Sequence, residues 1–218
     1  VALSTGDDLL ALYSGNNLVV ILITQNDYLA AKETLNQLQD VLRRNPDSVV
    51  EGSLRLHELE LLRVAGEDER AIAGLRDFIR LRTDPSPLMM GSAHKILGDA
   101  LTEIGQFEEA LRHADIAIQM LSPQINEMTE ARLSRARILQ KMQNYDAVLA
   151  QLAEINLENE AVPARRVRAH RLALEARLGK AGMSTELAEL AAFIQADASI
   201  TRRFGGTGLG LSISKKLA

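Results

Sequence analysis

One short turn, followed each time by the same helical pattern, occurs four times along this 218-residue chain. The turns are Asn26-Asp27-Tyr28-Leu29-Ala30-Ala31, Gly66-Glu67-Asp68-Glu69-Arg70-Ala71, Gly105-Gln106-Phe107-Glu108-Glu109-Ala110 and Gln143-Asn144-Tyr145-Asp146-Ala147-Val148. Superposed on their last residues, Ala31, Ala71, Ala110 and Val148, they lie 40, 39 and 38 residues apart. A period near 40 without alternating strand patterns reads as an array of stacked helical hairpins, in which each unit needs its neighbour to bury its apolar face.

Each unit is expected to hold a first helix, the turn and a second helix. The first helices are placed at roughly 16–24, 52–64, 90–104 and 128–142, the second at roughly 27–44, 67–81, 106–121 and 144–155. In the third unit Phe107, Ala110, Leu111, Ala114, Ala117, Ile118 and Leu121 follow the i, i+3, i+4, i+7 rule along the whole second helix. Between units lie Asn45-Pro46-Asp47, Asp84-Pro85-Ser86-Pro87 and Ser122-Pro123, read as loops whose prolines stop the second helices. A fifth hairpin is expected from Pro163 through about residue 178, then Gly179 and Gly182 at a turn, then a stripe of Leu187, Leu190, Ala191 and Ile194.

Composition narrows the function classes. Aromatic residues make up only 3% of the chain, which favours packed helices over a β-sandwich or barrel. Cysteine is absent, which excludes disulfides, thiolate zinc sites and a cysteine nucleophile. The net charge of −4 argues against nucleic acid as a partner. The longest apolar run, Leu18 to Ile23, is far short of the roughly 20 residues a membrane span needs. Val1 to Leu12 lacks a basic start and carries Asp7 and Asp8, so no signal peptide is read there; the chain begins with Val and its helical pattern is still running at Ala218, so it reads as a fragment, expected to be cytoplasmic.

The third unit resembles a tetratricopeptide repeat. Leu97-Gly98, Leu101, Gly105, Phe107, Ala110, Ala117 and Pro123 sit close to that family's pattern of large and small residues. The small residues Gly98, Ala110 and Ala117 let helices approach closely, and Leu97, Leu101 and Phe107 fill the space between hairpins. The other units depart from the pattern: Leu59 and Val19 stand where Gly98 stands in unit three, and the period exceeds the usual 34 residues. The resemblance covers about residues 16–156. It implies an all-α, right-handed solenoid of helical hairpins over residues 1–192, whose concave surface receives a protein or peptide. First helices usually line that surface, which makes His94 and Arg132 candidate partner-binding residues. The basic cluster Arg165, Arg166, Arg168 and Arg171 reads as a solvated helix face, the alternative being a contact for an acidic peptide or a phosphate.

Residues 193–218 carry a different signal. Glycines at 205, 206, 208 and 210 do not suit a solenoid helix, but they suit a loop that wraps a ligand. A glycine loop running into a helix start offers free N–H groups and a favourable dipole to an anion. The string FIQADASITRRFGGTGLGLSISKKL resembles the ATP lid of sensor histidine kinases, especially hybrid ones. Phe193, Gln195, Asp197 and Ser199 fall in step with that family's phenylalanine box, and Gly206-Thr207-Gly208-Leu209-Gly210-Leu211 with its last glycine box. The resemblance implies that Thr201, Arg202, Arg203, Gly205, Gly206, Thr207, Gly208, Leu209 and Gly210 would contact ATP, with Mg²⁺ held elsewhere.

The rest of such a site is missing from residues 1–192: there is no asparagine-bearing metal helix, and no Asp-x-Gly-x-Gly adenine loop. His57-Glu58-Leu59 copies only the start of the phosphoacceptor motif and reads as a surface or interhelix histidine. About 25 residues cannot build an ATP pocket alone, so no cofactor is expected on this chain by itself. The sequence thus reads as an interaction scaffold in two-component signalling bearing an incomplete kinase lid, from a splice or a partial chain. The alternative is part of an active ATP-dependent sensor kinase. A regulatory-ATPase repeat array is a weaker third reading, since no Gly-x-x-x-x-Gly-Lys-Ser/Thr loop occurs.

Overall fold

The computed structural model describes residues 8–44, 47–81, 86–155 and 162–180. Among them are nine α-helices and no strand: α1 Asp8–Thr24, α2 Tyr28–Arg44, α3 Ser48–Val64, α4 Asp68–Leu81, α5 Pro87–Glu103, α6 Phe107–Leu121, α7 Ile125–Lys141, α8 Tyr145–Ala153 and α9 Pro163–Lys180. They divide into two units, Val1–Met142 and Gln143–Ala218. The boundary expected at 192/193 lies outside the described residues, as does the second helix of the fifth hairpin.

The four repeated turns share one backbone device. Asn26, Gly66, Gly105 and Gln143 all have positive φ, at 61°, 78°, 77° and 59°. In the first three, this residue and the next bond back into the helix just ended. Asn26 N–H donates to the Ile23 carbonyl at 3.0 Å and Asp27 N–H to Leu22 at 2.9 Å, and the same pair recurs at Gly66–Glu67 and Gly105–Gln106. This closes carbonyls that the helix end leaves open. The second helix begins at once, with the N–H of Ala31, Ala71, Ala110 and Val148 donating to the carbonyls of Asp27, Glu67, Gln106 and Asn144. These four residues are fully buried.

The first helices start earlier than the periodicity suggests, because residues read as loop are caps. Asp47 accepts from the N–H groups of Val49 and Val50, at 2.9 and 3.0 Å, and so begins α3. Ser86 accepts from Met89 N–H at 3.2 Å, and Pro87 occupies the first turn of α5. Pro87 therefore starts a helix instead of stopping one, its fixed φ and missing N–H costing nothing there.

In the first unit the helices pair in hairpins that also pack on the next hairpin: α1 on α2 and α3, α4 on α5, and α6 on α7. α5 is the most enclosed helix, with neighbours α3, α4, α6 and α7. Leu59, Leu75, Leu97 and Leu101 are fully buried in the cluster that joins α3 to α7. A second cluster holds Leu12, Val19, Leu35, Val50 and Leu54 from α1 to α3.

Hairpin packing explains the departures from the repeat pattern. In unit three a Cβ on Gly98 would lie 3.1 Å from the Ala110 carbonyl oxygen, so α5 and α6 meet backbone to backbone. In unit two the large and small partners change sides: Leu59 lies over Gly74, where a Cβ would come within 2.4 Å of its methyl carbon. In unit one Leu38 covers Gly15 in the same way. Each of these three hairpins therefore keeps a glycine under the opposite helix, but not at one sequence position, and the third has two, Gly91 lying under Leu121 as well. In the second unit α8 packs on α9, with the Tyr145 ring over Gly179.

Two outcomes follow for stability. Gly98→Leu, which copies unit two without its compensating glycine, is expected to cost about 3 kcal/mol by overpacking against backbone, read as a lower urea midpoint. A side chain at Gly105 meets nothing within 4 Å, so Gly105→Ala isolates the backbone cost and is expected to lose about 1 kcal/mol in the same assay. Gln143→Gly is expected to gain a similar amount.

Candidate functional site

Successive first helices bring one register position together along the first unit. Counted back from Ala71, Ala110 and Val148, Glu60 of α3, Asp99 of α5 and Arg137 of α7 are equivalent. Asp99 is the centre: it is 6% exposed, and charged residues this covered need partners. It has them. Lys95 Nζ lies 3.1 Å from Oδ2, Arg137 Nη2 lies 3.0 Å from Oδ1, and the Ser134 hydroxyl donates to Oδ1. Arg137 also reaches Glu103 Oε1 at 3.5 Å. On α3, Arg63 holds Glu60 through two bonds, 2.8 Å from Nη2 and 3.2 Å from Nε.

The charges support one another. Burial by itself would raise the Asp99 pKa, but Lys95 and Arg137, with Arg63 beyond and the Ser134 hydroxyl, outweigh it and hold the carboxyl below the usual carboxylate range. Burial pulls Lys95 down, and Asp99 with Glu60 more than restores it. Asp99 and Lys95 therefore each hold the other in its charged form. The row mixes Glu60, Asp99 and Glu103 with Arg63, Lys95 and Arg137, so it presents alternating charge rather than one sign.

A cleft of about 390 Å³ lies nearby between α2, α3 and the start of α4, with Leu35 and Leu62 among its apolar lining and Lys32, Arg55, Glu58 and Arg70 among its charged lining. Among the described residues no group of three or more His, Cys, Asp or Glu side chains could hold a metal.

The sequence-derived residues fall in different places. His94 is 7% exposed and turned toward α6, its Nδ1 2.7 Å from Nδ1 of His113 and the rings stacked with centroids 4.9 Å apart. At that distance one Nδ1 carries a proton and the other accepts it. Arg132, half-buried on α7, holds the register position of His94 and Arg55 in the earlier units. His57 sits between helices, its Nε2 3.2 Å from Asn16 Oδ1 of α1. On α9, Arg171 Nε is 3.5 Å from Glu175. Thr201, Arg202, Arg203, Gly205, Gly206, Thr207, Gly208, Leu209 and Gly210 lie outside the described residues.

The Asp99 network is absent from the sequence reading. A signal for it existed: once the turns are superposed, Glu60, Asp99 and Arg137 stand at one register position of three successive first helices, charged in each.

The fold itself has counterparts. The chain is similar to two crystal structures from Podosopora anserina of nearly identical TPR-like repeats, in a protein assigned there as a kinesin light chain. The first matches with a TM-score of 0.56 and 15% identity, covering 86% of this chain and 96% of that one. The second, a single-residue variant of the same protein, matches with a TM-score of 0.56 and 16% identity over the same shares. No family model and no curated protein matches the chain. The fold is thus a tetratricopeptide-like helical repeat array, all-α among the described residues. None of its described helices is long and apolar enough to cross a membrane.

The histidines set an acid limit. Burial pushes His94 down to about 4, helped by His113, and pushes His57 down to about 4 against the pull of Glu60. His113 is lowered by burial as well, with Glu109 opposing and Arg76 and Arg112 adding to the shift. A histidine whose folded pKa is depressed favours folding fully above its unfolded pKa of about 6.5, and that advantage is lost as pH falls from there toward the folded value. Stability is expected to drop between pH 6.5 and 4 by on the order of 1 kcal/mol per pH unit for each such histidine. Urea midpoints measured across that range check it, and His57→Gln should flatten the slope.

Proposed function

We propose that the chain is a protein-interaction scaffold, and that the row on α3, α5 and α7 receives a segment of a partner protein. The observation that carries this reading is the network around Asp99. Three successive first helices of a repeat array hold charged side chains that fix one another in place, and Glu103 and Arg137 remain partly exposed, at 38% and 34% of their side chains. A partner meeting pre-positioned charges loses less conformational entropy on binding. Mixed signs along the row favour a partner segment that also alternates acidic and basic residues. His94, turned onto His113, supports the row by fixing α5 against α6, and Arg132 holds the same register position as His94 on α7.

The test is selection of peptides from a random displayed library on the full chain, followed by binding to Glu103→Lys/Arg137→Glu. Enriched peptides are expected to bind the native chain and to lose at least tenfold in affinity on the double variant, about 1.4 kcal/mol or more. Peptides that bind both proteins alike would remove the row from the interface.

A second reading rests on residues 193–217, whose resemblance to a sensor-kinase lid points to two-component signalling and to ATP with Mg²⁺. Calorimetry with Mg-ATP on the full chain, beside a chain ending at Ala192, separates the readings. Binding by the full chain alone supports the kinase relation, and silence from both leaves the scaffold.

A further inference from the structure

α1 is apolar all round. From Leu9 to Thr24 it carries no charged residue, and a helix of that kind is ordinarily covered on every side. Here Leu12 and Val19 are its fully buried residues, inside the cluster shared with α2 and α3. Away from them run Leu10, Tyr13, Asn17, Val20 and Thr24, spaced alternately by three and four residues, the spacing of a two-helix seam. Leu10 is 62%, Tyr13 48%, Val20 45% and the adjoining Ile21 50% exposed. The same register is covered elsewhere in the array. Val50 and Leu61 of α3, and Met89 and Ala100 of α5, stand where Leu10 and Ile21 stand in α1, and both pairs pack into the core clusters of the first unit.

We propose that a second copy of this chain covers the seam, α1 lying antiparallel to its counterpart about a two-fold axis midway between Tyr13 and Asn17. A two-fold interface must be self-complementary, and this stripe is: the rotation sets Leu10 against Val20 of the second copy, Leu9 against Ile21, and Tyr13 against Asn17. Apolar side chains meet at both ends and polar ones in the middle. Tyr13 is held from its own side by the bond from its hydroxyl to Asp47 Oδ2, at 3.1 Å. Any slip in register would press the Asn17 amide onto aliphatic side chains, which is how a single polar seam residue specifies alignment. A parallel pairing would place the two Asp8 carboxylates together and align the helix dipoles, whereas the antiparallel one opposes them. A seam of this length buries on the order of 1,000 Å² in total, at the low end for specific interfaces, so the dimer is expected to be weak and concentration-dependent.

Sedimentation velocity of the full chain tests this. Its mass is expected to rise from 23.9 kDa toward twice that value with concentration. Leu10→Glu/Ile21→Glu, at two exposed positions, is expected to stay monomeric with an unchanged circular dichroism spectrum. The chain has no cysteine, so engineered ones report orientation. Leu10→Cys mixed with Val20→Cys should give the crossed disulfide about tenfold faster than either variant links to itself, since like positions lie about 15 Å apart along the axis. A monomer at about 200 μM overturns the proposal, as does a dimer that survives the double variant. Preferential self-linking overturns the antiparallel arrangement, and the cysteine pair decides alone if the double variant misfolds.

Discussion

Each hairpin of the first unit depends on close approach, with at least one glycine lying beneath the opposite helix. Gly15 lies under Leu38, Gly74 under Leu59, and Gly98 under the backbone of α6. Removing a side chain at one point lets two helices touch along their length and brings the flanking leucines into mutual contact. Because the pairing within a hairpin is tight, the rotation of each first helix is set. That rotation decides which residues face the core and which face the row centred on Asp99. The glycine sits on the first helix in units one and three and on the second helix in unit two. Only the sum of large and small is constrained, a property of the pair and of neither helix alone.

The turns supply the other constraint. In the first three turns a left-handed residue, its two bonds back into the preceding helix, and an immediate restart leave almost no freedom in the angle between helices. Asn26 and Gln143 accept this conformation in place of glycine, asparagine being the non-glycine residue best suited to it. The recurrence of this geometry at intervals of 40 and 39 residues holds the first unit in register despite length changes in the loops between repeats. It also places Glu60, Asp99 and Arg137 in line, so that a carboxylate and a guanidinium from different repeats can meet.

The Asp99 network shows why such a site persists in a helical core. A carboxylate with so little exposure survives because three donors converge on it from two helices. Ion pairs of this kind contribute little net stability, since desolvation offsets most of the attraction. Their consequence is order: side chains that would otherwise sample many rotamers are held at one place on the array. The histidine pair between α5 and α6 is a neutral counterpart, and its neutrality ties that hairpin's stability to pH.

Much of the fold was legible in the sequence because helices and turns are local. The period, the turn positions and the apolar stripes of the second helices depend on residues a few positions apart, and the nine described helices follow the expected order. Asp47 and Ser86 read as loop residues in the sequence because a cap and a turn use the same short polar side chains. The compensation between Leu59 and Gly74, the turning of His94 onto His113, and the convergence on Asp99 were decided by tertiary structure. They depend on which residues of separate helices meet, and a helical period specifies a face without naming its neighbour. The exposed seam of α1 belongs to both: the sequence made it apolar, and only the packing of α2 and α3 determined which side stayed uncovered.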